Sequence, residues 1–193
     1  MFFKTYPLEN LIIDGIEYQS IKHTMFRESF KRWKSKLSKE EVKALKKYRR
    51  SNTFLLNGVN INAKIRNGEE CKEAEYLSNA INKFDLLENI IAYRTIGKKE
   101  KGFIQKFSIG EIFKFDDYKG LHVKNEIKNN PLTDPSGYIL FLLPKGSKAA
   151  YINDITILYR HEKELLIDKG QQYSLVGNRI IFNKETYIIK LMG

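Results

Sequence analysis

Two glutamates spaced two residues apart stand at the head of an apolar run late in the chain. Glu162 and Glu164 flank Lys163 and lead into residues 165–167. In a β-strand, residues two apart point to the same face and lie about 7 Å apart. Two carboxylates at that separation can divide labour, one stabilising a cationic transition state and the other polarising a nucleophile. The polar edge of an ordinary strand fits the same pattern, so both interpretations stay open here.

A single arginine follows another apolar run much earlier in the chain. Arg94 comes directly after residues 90–93, so the end of a predicted strand would hold it in place. The planar guanidinium fork binds phosphate oxygens in pairs and therefore suits a diphosphate group. A surface arginine at a strand end is the plain alternative, and the sequence around Arg94 does not decide between them.

The elements that would position these side chains fall into two halves, of which the first is helical. Between residues 24 and 84 the apolar residues recur at helical spacing. Ser38 followed by Glu41 forms a capping box that predicts the start of one helix. Further helices are predicted over residues 48–56 and 69–81.

After residue 89 the chain changes to short β-rich runs separated by turn signals. Strands are predicted at 90–93, 111–115, 138–143, 149–152, 164–167, 173–176, 180–182 and 187–191. Gly177-Asn178 is among the predicted turns, and the polar segment 125–136 is predicted to be a loop. Helices first and strands second indicate an α+β fold.

Composition narrows the classes of function. The chain has 193 residues, enough for one domain with a sizeable core, and a net charge of +11. That charge favours an acidic partner or a phosphate-bearing ligand, or it is a solvated lysine-rich surface, because the lysines are spread along the chain. Cys71 is the only cysteine, and the three histidines show no metal-ligand spacing, so neither a disulfide nor a metal site is expected.

The N-terminal region argues against two forms of membrane targeting. No apolar run approaches the length of a membrane span. Glu9, Asp14 and Glu17 interrupt the first apolar stretch, so a secretory signal peptide is not expected. The protein is therefore predicted to be intracellular or to be exported without such a signal.

Short motifs follow one another in a distinctive order from Trp33 to the C-terminus. They comprise Trp33, Leu37, Ser38 and Glu41 as W-x3-L-[ST]-x2-E, then Tyr48, Tyr93-Arg94, Gly97, Pro144 to Ser147, Ala149 to Ile152, Tyr159, the E-x-E pair, Gly170 and Tyr173. No single piece is specific, but their order is. The series resembles the catalytic domain of bacterial ADP-ribosyltransferase exoenzymes, especially the actin-modifying components of clostridial binary toxins.

The resemblance implies an ADP-ribosyltransferase fold in which N-terminal helices pack on a two-sheet β core. Residues 1–193 would form a single domain, with an arm at 1–30, a helical part at 31–85 and a β-rich NAD-binding core at 86–193. NAD would be the substrate, with no metal. The acceptor would be actin or another protein, a translocation or toxin partner would be possible, and the chain would act as a secreted or delivered effector in a target-cell cytoplasm.

The resemblance also implies roles for individual residues. Arg94 would bind the NAD phosphates, while Glu164 would bind the nicotinamide ribose and stabilise the oxocarbenium-like transition state. Glu162 would orient or deprotonate an acceptor guanidinium, because glutamate at this position accompanies arginine acceptors in the family. Tyr48 and Asn57 occupy positions that contact NAD.

The loop before the E-x-E pair carries a further implied role. The family has an aromatic residue three positions before the E-x-E pair, and here that residue is Tyr159. The resemblance implies that Tyr159 sits on the loop that recognises the target protein.

One departure from the family pattern concerns the strand between Arg94 and Glu164. The family carries Phe-x-Ser-Thr-Ser there, and its first serine hydrogen-bonds the catalytic glutamate. The corresponding segment 118–125 contains no serine or threonine. His122 or Asn125 is the predicted substitute donor. Loss of one such bond would lower the rate roughly 10- to 100-fold.

Four functions are compatible with these observations. The first is an active arginine-specific mono-ADP-ribosyltransferase. The second is a catalytically degenerate binding module with the same fold, and the third is an NAD glycohydrolase in which water replaces the protein acceptor. The fourth is a basic nucleic-acid binder, which would need a compact basic stripe with interleaved aromatic residues that the sequence lacks.

Overall fold

The computed structural model describes residues 5–51, 60–128, 135–156 and 163–193. The helices are α1 (Arg27–Ser35), α2 (Lys39–Ser51), α3 (Ile61–Arg66), α4 (Lys72–Asn82) and α5 (Lys98–Ile104). The strands are β1 (Thr5–Pro7), β2 (Leu11–Ile13), β3 (Ile16–Ser20), β4 (Ile90–Ile96), β5 (Ile112–Lys114), β6 (Lys119–His122), β7 (Glu126–Lys128), β8 (Gly137–Leu143), β9 (Ala149–Tyr151), β10 (Glu164–Ile167), β11 (Gln172–Ile181) and β12 (Lys184–Leu191). None of the helices in these ranges is long and apolar enough to cross a membrane. The predicted α+β class is confirmed.

Within the described ranges, ten strands form one hydrogen-bonded sheet whose main path runs β5-β11-β12-β8-β4-β6-β10-β9. The hairpin β2-β3 joins this sheet through parallel pairing of β3 with β4, and β1 and β7 form a separate two-stranded sheet. The step from β4 to β6 consists of one residue pair, Tyr93 opposite His122. Only this pair joins the strands β6, β10 and β9 to the rest of the sheet along its described path, so the sheet is weakly connected between β4 and β6.

Both faces of the central strands β4 and β8 are buried. Ala92 and Phe141 belong to the apolar cluster that contains the helical side chains, whereas Ile91 and Leu142 belong to a second cluster with Tyr18 of β3. Because strand side chains alternate between faces, the helices cover one face and the N-terminal strands cover the other. This burial explains the continuous apolar runs of β4 and β8.

Helix α2 begins where the capping box predicts. Ser38 Oγ accepts a hydrogen bond from the amide of Glu41 at 3.1 Å, and Glu41 Oε2 accepts one from the amide of Ser38 at 2.7 Å. The Glu41 carboxylate also accepts hydrogen bonds from Lys83 Nζ at 2.7 and 2.8 Å, just beyond the end of α4. Leu45 and Tyr48 continue the buried face of α2. These contacts fix the position and rotation of the helix.

The predicted turn at Gly177-Asn178 is wrong. Strand β11 runs through both residues, and its pairing with β12 changes register between Leu175 and Gly177. The glycine therefore marks a β-bulge, which bends a strand without ending it. The hairpin turn lies instead at Phe182 and Asn183, whose φ angles are +52° and +60°. A two-residue hairpin turn requires such left-handed conformations, but phenylalanine rarely signals one.

Three other boundaries differ from the sequence-based prediction. Helix α2 continues without a break through Tyr48 to Ser51, and residues 52–59 lie outside the described ranges. The helix predicted over 69–81 corresponds to α4, which starts three residues later. The segment 125–136, predicted to be a loop, contains β7.

We expect Gly137→Ala to lower the free energy of unfolding by about 1–3 kcal/mol. A Cβ at Gly137 would lie 2.7 Å from the backbone oxygen of Glu185, and a strand backbone cannot rotate away as a side chain does. Gly102→Ala in α5 is the matched control, because nothing lies within 4 Å of a Cβ there and alanine favours helix by about 0.5–1 kcal/mol. Urea denaturation gives the free energy of unfolding of both variants. A Gly137→Ala protein as stable as the wild type would contradict this close packing.

Candidate functional site

Three neighbouring strands and two helices meet around a cavity of about 380 Å³. The lining residues used below come from all five elements: Arg94 of β4, Gly120 and His122 of β6, Glu164 of β10, Tyr48 of α2 and Asn62 of α3. Because β6 lies between β4 and β10 in the sheet, side chains from all three strands reach the same space. The volume is within the range of small-molecule sites.

Glu164 is a buried carboxylate held by a buried cation. Glu164 Oε2 accepts a hydrogen bond from Arg49 Nη1 at 2.5 Å, and the two side chains are 8% and 1% exposed. Arg49 stands in the last turn of α2, one residue after Tyr48. Breaking a buried pair by removing one partner costs about 3–5 kcal/mol, because it leaves an uncompensated charge. The pair therefore holds the Glu164 carboxylate at one place in the cavity wall.

Gly120 provides the space that this carboxylate occupies. In the register of β6 and β10, Gly120 lies opposite Leu166, two residues from Glu164. A Cβ on Gly120 would lie 2.5 Å from Glu164 Oε1 and 3.6 Å from the hydroxyl of Tyr48. The first distance is too short for a carbon atom, so any side chain at this position would displace Glu164.

Arg94 contacts the same glycine. Arg94 Nη1 donates a hydrogen bond to the carbonyl oxygen of Gly120 at 2.9 Å, and Nε donates one to Glu100 of α5 at 3.3 Å. Burial opposes the charge on Arg94, but the neighbouring groups together, Glu100 foremost among them, outweigh burial and raise the pKa of Arg94. Arg94 and Glu164 therefore border one cavity, with Gly120 as their shared neighbour.

Arg94 also lines a second cavity of about 470 Å³. Lys119 Nζ contacts Glu100 Oε1 and Asp117 Oδ1, each at 3.0 Å, and Arg66 Nη1 contacts Asp117 Oδ2 at 2.6 Å. The charged lining residues are Arg66, Arg94, Lys99, Lys114 and Lys119 on the basic side, and Glu100, Asp116 and Asp117 on the acidic side. The basic residues outnumber the acidic ones, so this cavity favours an anionic ligand.

Tyr48 and Asn62 form the helical side of the first cavity. Asn62 Nδ2 donates to the carbonyl of Tyr118 at 3.0 Å, and Asn62 Oδ1 accepts from the amide of Tyr118 at 3.1 Å. The Asn62 side chain also hydrogen-bonds Tyr48. Burial, and then the charge of Glu164, raise the pKa of Tyr48 far above its usual value. The Tyr48 hydroxyl therefore stays protonated and can donate a hydrogen bond.

The backbone changes direction directly before Glu164. Lys163 has a φ of +53°, a left-handed conformation that is uncommon outside glycine. Its amide donates to Asn153 Oδ1 at 2.9 Å, and its carbonyl accepts from the amide of Val123 at 2.9 Å. Strand β10 begins at Glu164. Glu162 lies outside the described residues, so the expectation that both carboxylates share one strand face stays a prediction.

The structure brings together four of the residues singled out from the sequence: Tyr48, Arg94, His122 and Glu164. Three others, Asn57, Tyr159 and Glu162, lie outside the described residues, so their roles stay predictions.

A donor to Glu164 that the sequence analysis did not name comes from helix α2. His122 lines the cavity, but Asn125 is exposed and its carbonyl accepts from the amide of Leu8 at 2.8 Å. The donor observed at Glu164 Oε2 is Arg49, which comes from α2 and not from β6.

Sequence reasoning missed Arg49, Gly120 and Asn62. Arg49 stands four residues after Leu45 on the buried face of α2, so a cation at a core-facing helical position was the available signal. Asn62 lies in a six-residue helix that is too short for a periodic pattern. Gly120 carries no signal of its own, because the group that needs its space arrives from a strand more than 40 residues later.

Comparisons with known proteins agree with this architecture. A family model for ADP-ribosyltransferase exoenzymes matches residues 24–191. The chain is 27% identical over 152 residues to the NAD(+)--arginine ADP-ribosyltransferase EFV of Enterococcus faecalis. That match covers 75% of this chain and 30% of the relative, so the chain corresponds to under a third of that protein.

Solved structures of low sequence identity share the fold. The ADP-ribosyltransferase toxin Plx2a of Paenibacillus larvae has a TM-score of 0.72 at 20% identity, covering 88% of this chain and 94% of its own. The C3 exoenzyme of Clostridium limosum has a TM-score of 0.69 at 21% identity, and the match covers 91% of this chain and 98% of that one. The ADP-ribosylating toxin BECa of C. perfringens has a TM-score of 0.71 at 18% identity, and the match covers 98% of this chain and 56% of that one. The family model spans nearly the whole chain and the fold agrees with it, so this chain belongs to the ADP-ribosyltransferase exoenzyme family.

Proposed function

We propose that this protein cleaves NAD and transfers ADP-ribose to an arginine side chain of a target protein. The observation that carries the proposal is the convergence of Arg94 and Glu164 on Gly120 at one cavity. A guanidinium and a carboxylate placed in this way can serve the two ends of one ligand. NAD offers a diphosphate to the cation and a ribose, which becomes cationic during cleavage, to the carboxylate.

The residues present fit NAD. The larger cavity has an excess of basic side chains and suits the charged diphosphate portion, while the smaller one contains the buried Glu164 carboxylate. Arg94 lines both and would bind at their boundary. The protonated Tyr48 and the amide of Asn62 supply neutral polar groups on the helical side. These features support a dinucleotide lying across the two cavities.

The chemical step uses the negative charge of Glu164. The bond between C1′ of the ribose and the nicotinamide nitrogen breaks, and nicotinamide leaves with the bonding electrons. The ribose then carries positive charge, which a fixed carboxylate stabilises without reorganisation. A guanidinium nitrogen of the acceptor bonds to C1′ and loses a proton, and Glu162 is the proposed base.

The arginine acceptor rests on two supports. The relative from Enterococcus faecalis is named as an arginine-specific transferase. In the family resemblance, glutamate at the position of Glu162 accompanies arginine acceptors. Actin is one candidate acceptor. Since several structural relatives are toxins, we place this chain among effectors that act on a protein of a target cell, with Tyr159 near the acceptor.

We expect Glu164→Gln to lower kcat for NAD cleavage by on the order of 10²–10³-fold. The amide has nearly the shape of the carboxylate but lacks the charge that stabilises the transition state. Release of nicotinamide from labelled NAD gives kcat and KM. Glu75→Gln on the exposed side of α4 is the control and should match the wild type. Wild-type kcat in Glu164→Gln would refute the proposed role of this residue.

Glu162→Gln is expected to separate transfer from hydrolysis. Loss of the base should abolish labelling of acceptor proteins and of a simple guanidine compound, because both need a deprotonated guanidinium. Slow hydrolysis of NAD should persist, because Glu164 is unchanged. Incubation with labelled NAD and a host lysate measures both products. Free ADP-ribose without any labelled protein in the wild type would indicate an NAD glycohydrolase, and neither product would indicate a binding module.

A further inference from the structure

The cation at Glu164 comes from an element that the E-x-E pattern does not include. Arg49 lies in the last turn of α2, and its side chain is 1% exposed. Its Nη1 lies 2.5 Å from Glu164 Oε2. The next residue, Arg50, is exposed on the same turn. Burial of a guanidinium is unfavourable unless a carboxylate faces it. The position of Arg49 is therefore tied to that of Glu164.

The space at Gly120 complements this pair. Oε2 of Glu164 contacts Arg49, and Oε1 faces Gly120. A Cβ built on Gly120 would lie only 2.5 Å from this Oε1. A hydroxyl-bearing residue at position 120 is therefore incompatible with the observed carboxylate. Arg49 and Gly120 form one arrangement, in which the donor reaches the carboxylate from the helix and the strand leaves room for it.

We propose that Arg49 is the positioning residue for Glu164, supplying from α2 a hydrogen bond in place of the serine that segment 118–125 lacks; this inference rests on the proposed function. Arg49 holds Oε2 and thereby orients the carboxylate, so that Oε1 lies beside Gly120 and the Tyr48 hydroxyl in the cavity wall. The guanidinium itself does not contact the substrate in this role. It acts through Glu164.

Contacts elsewhere along α2 fix the position of the helix that carries Arg49. The capping box of Ser38 and Glu41 and the bonds from Lys83 to Glu41 fix the helix against α4. Leu45, fully buried, fixes its rotation. A side chain on such a supported helix places a catalytic group more reproducibly than one on a loop.

The decisive experiment compares Arg49→Met, Arg49→Lys and the neighbouring control Arg50→Met. Nicotinamide release from NAD gives kcat and KM for each. Arg49→Met should lose about 10- to 100-fold in kcat with KM for NAD changed by less than about 3-fold, because substrate binding does not use Arg49. Arg49→Lys restores a cation and should recover part of kcat, and Arg50→Met should match the wild type.

A double-mutant cycle separates positioning from a structural contribution. If Arg49 acts only through Glu164, then Arg49→Met/Glu164→Gln has the kcat of Glu164→Gln alone. If the arginine merely supports the fold, the two losses multiply. Urea denaturation of each variant gives the folded fraction, and kcat is expressed per folded molecule. Multiplying losses, or an unchanged kcat in Arg49→Met, would overturn the inference.

Gly120→Ala tests the same arrangement where Arg49→Met does not fold. The added Cβ would move Oε1, so kcat should fall about tenfold or more, whereas Gly102→Ala, which has nothing within 4 Å of its Cβ, should not change it. Wild-type kcat in Gly120→Ala would overturn the inference while the proposed function stands. A wild-type protein that cleaves no NAD would overturn both.

Discussion

A carboxylate taken out of water keeps its charge only if cations or several donors face it. At Glu164 that requirement is met by Arg49 of α2, and Gly120 of β6 leaves the carboxylate its room. The position of the charge therefore depends on how a helix sits against a sheet. Glu41 accepts hydrogen bonds from the amide of Ser38 and from Lys83 at the other end of α2, and these bonds are for this reason part of what fixes the site.

The charges of the site run from the Glu164 carboxylate in the first cavity, past Arg94, to the mostly basic second cavity. β4 and β10 flank β6, so Arg94 and Glu164 approach Gly120 from different strands. Beyond Arg94 the second cavity carries mostly basic side chains, paired with a few acids such as Glu100. A ligand with an anionic middle and one end that becomes cationic matches this gradient. The same gradient would oppose a ligand of uniform negative charge at the Glu164 end.

Local signals predicted the local structure well. The capping box gave the start of α2, and the apolar runs gave β4 and β8, because these depend on backbone groups and neighbours close in sequence. The turn at Phe182 and Asn183 escaped, since neither residue demands a positive φ, and Gly177 was assigned a turn although it marks a bulge. Strand β7 was missed because it has a single apolar residue, Ile127, between two charged ones.

By itself, the sequence determined that this protein has helices before strands, that Arg94, Glu162 and Glu164 are the charged candidates for the chemistry, and which family the chain resembles. Those conclusions need only residue type, spacing and order. The tertiary structure alone decided that Arg49 reaches Glu164 across 115 positions, that Asn62 lines the cavity and that a side chain at Gly120 would meet the Glu164 carboxylate. These facts depend on distances between elements remote in sequence. Packing fixes such distances, and no local pattern encodes them.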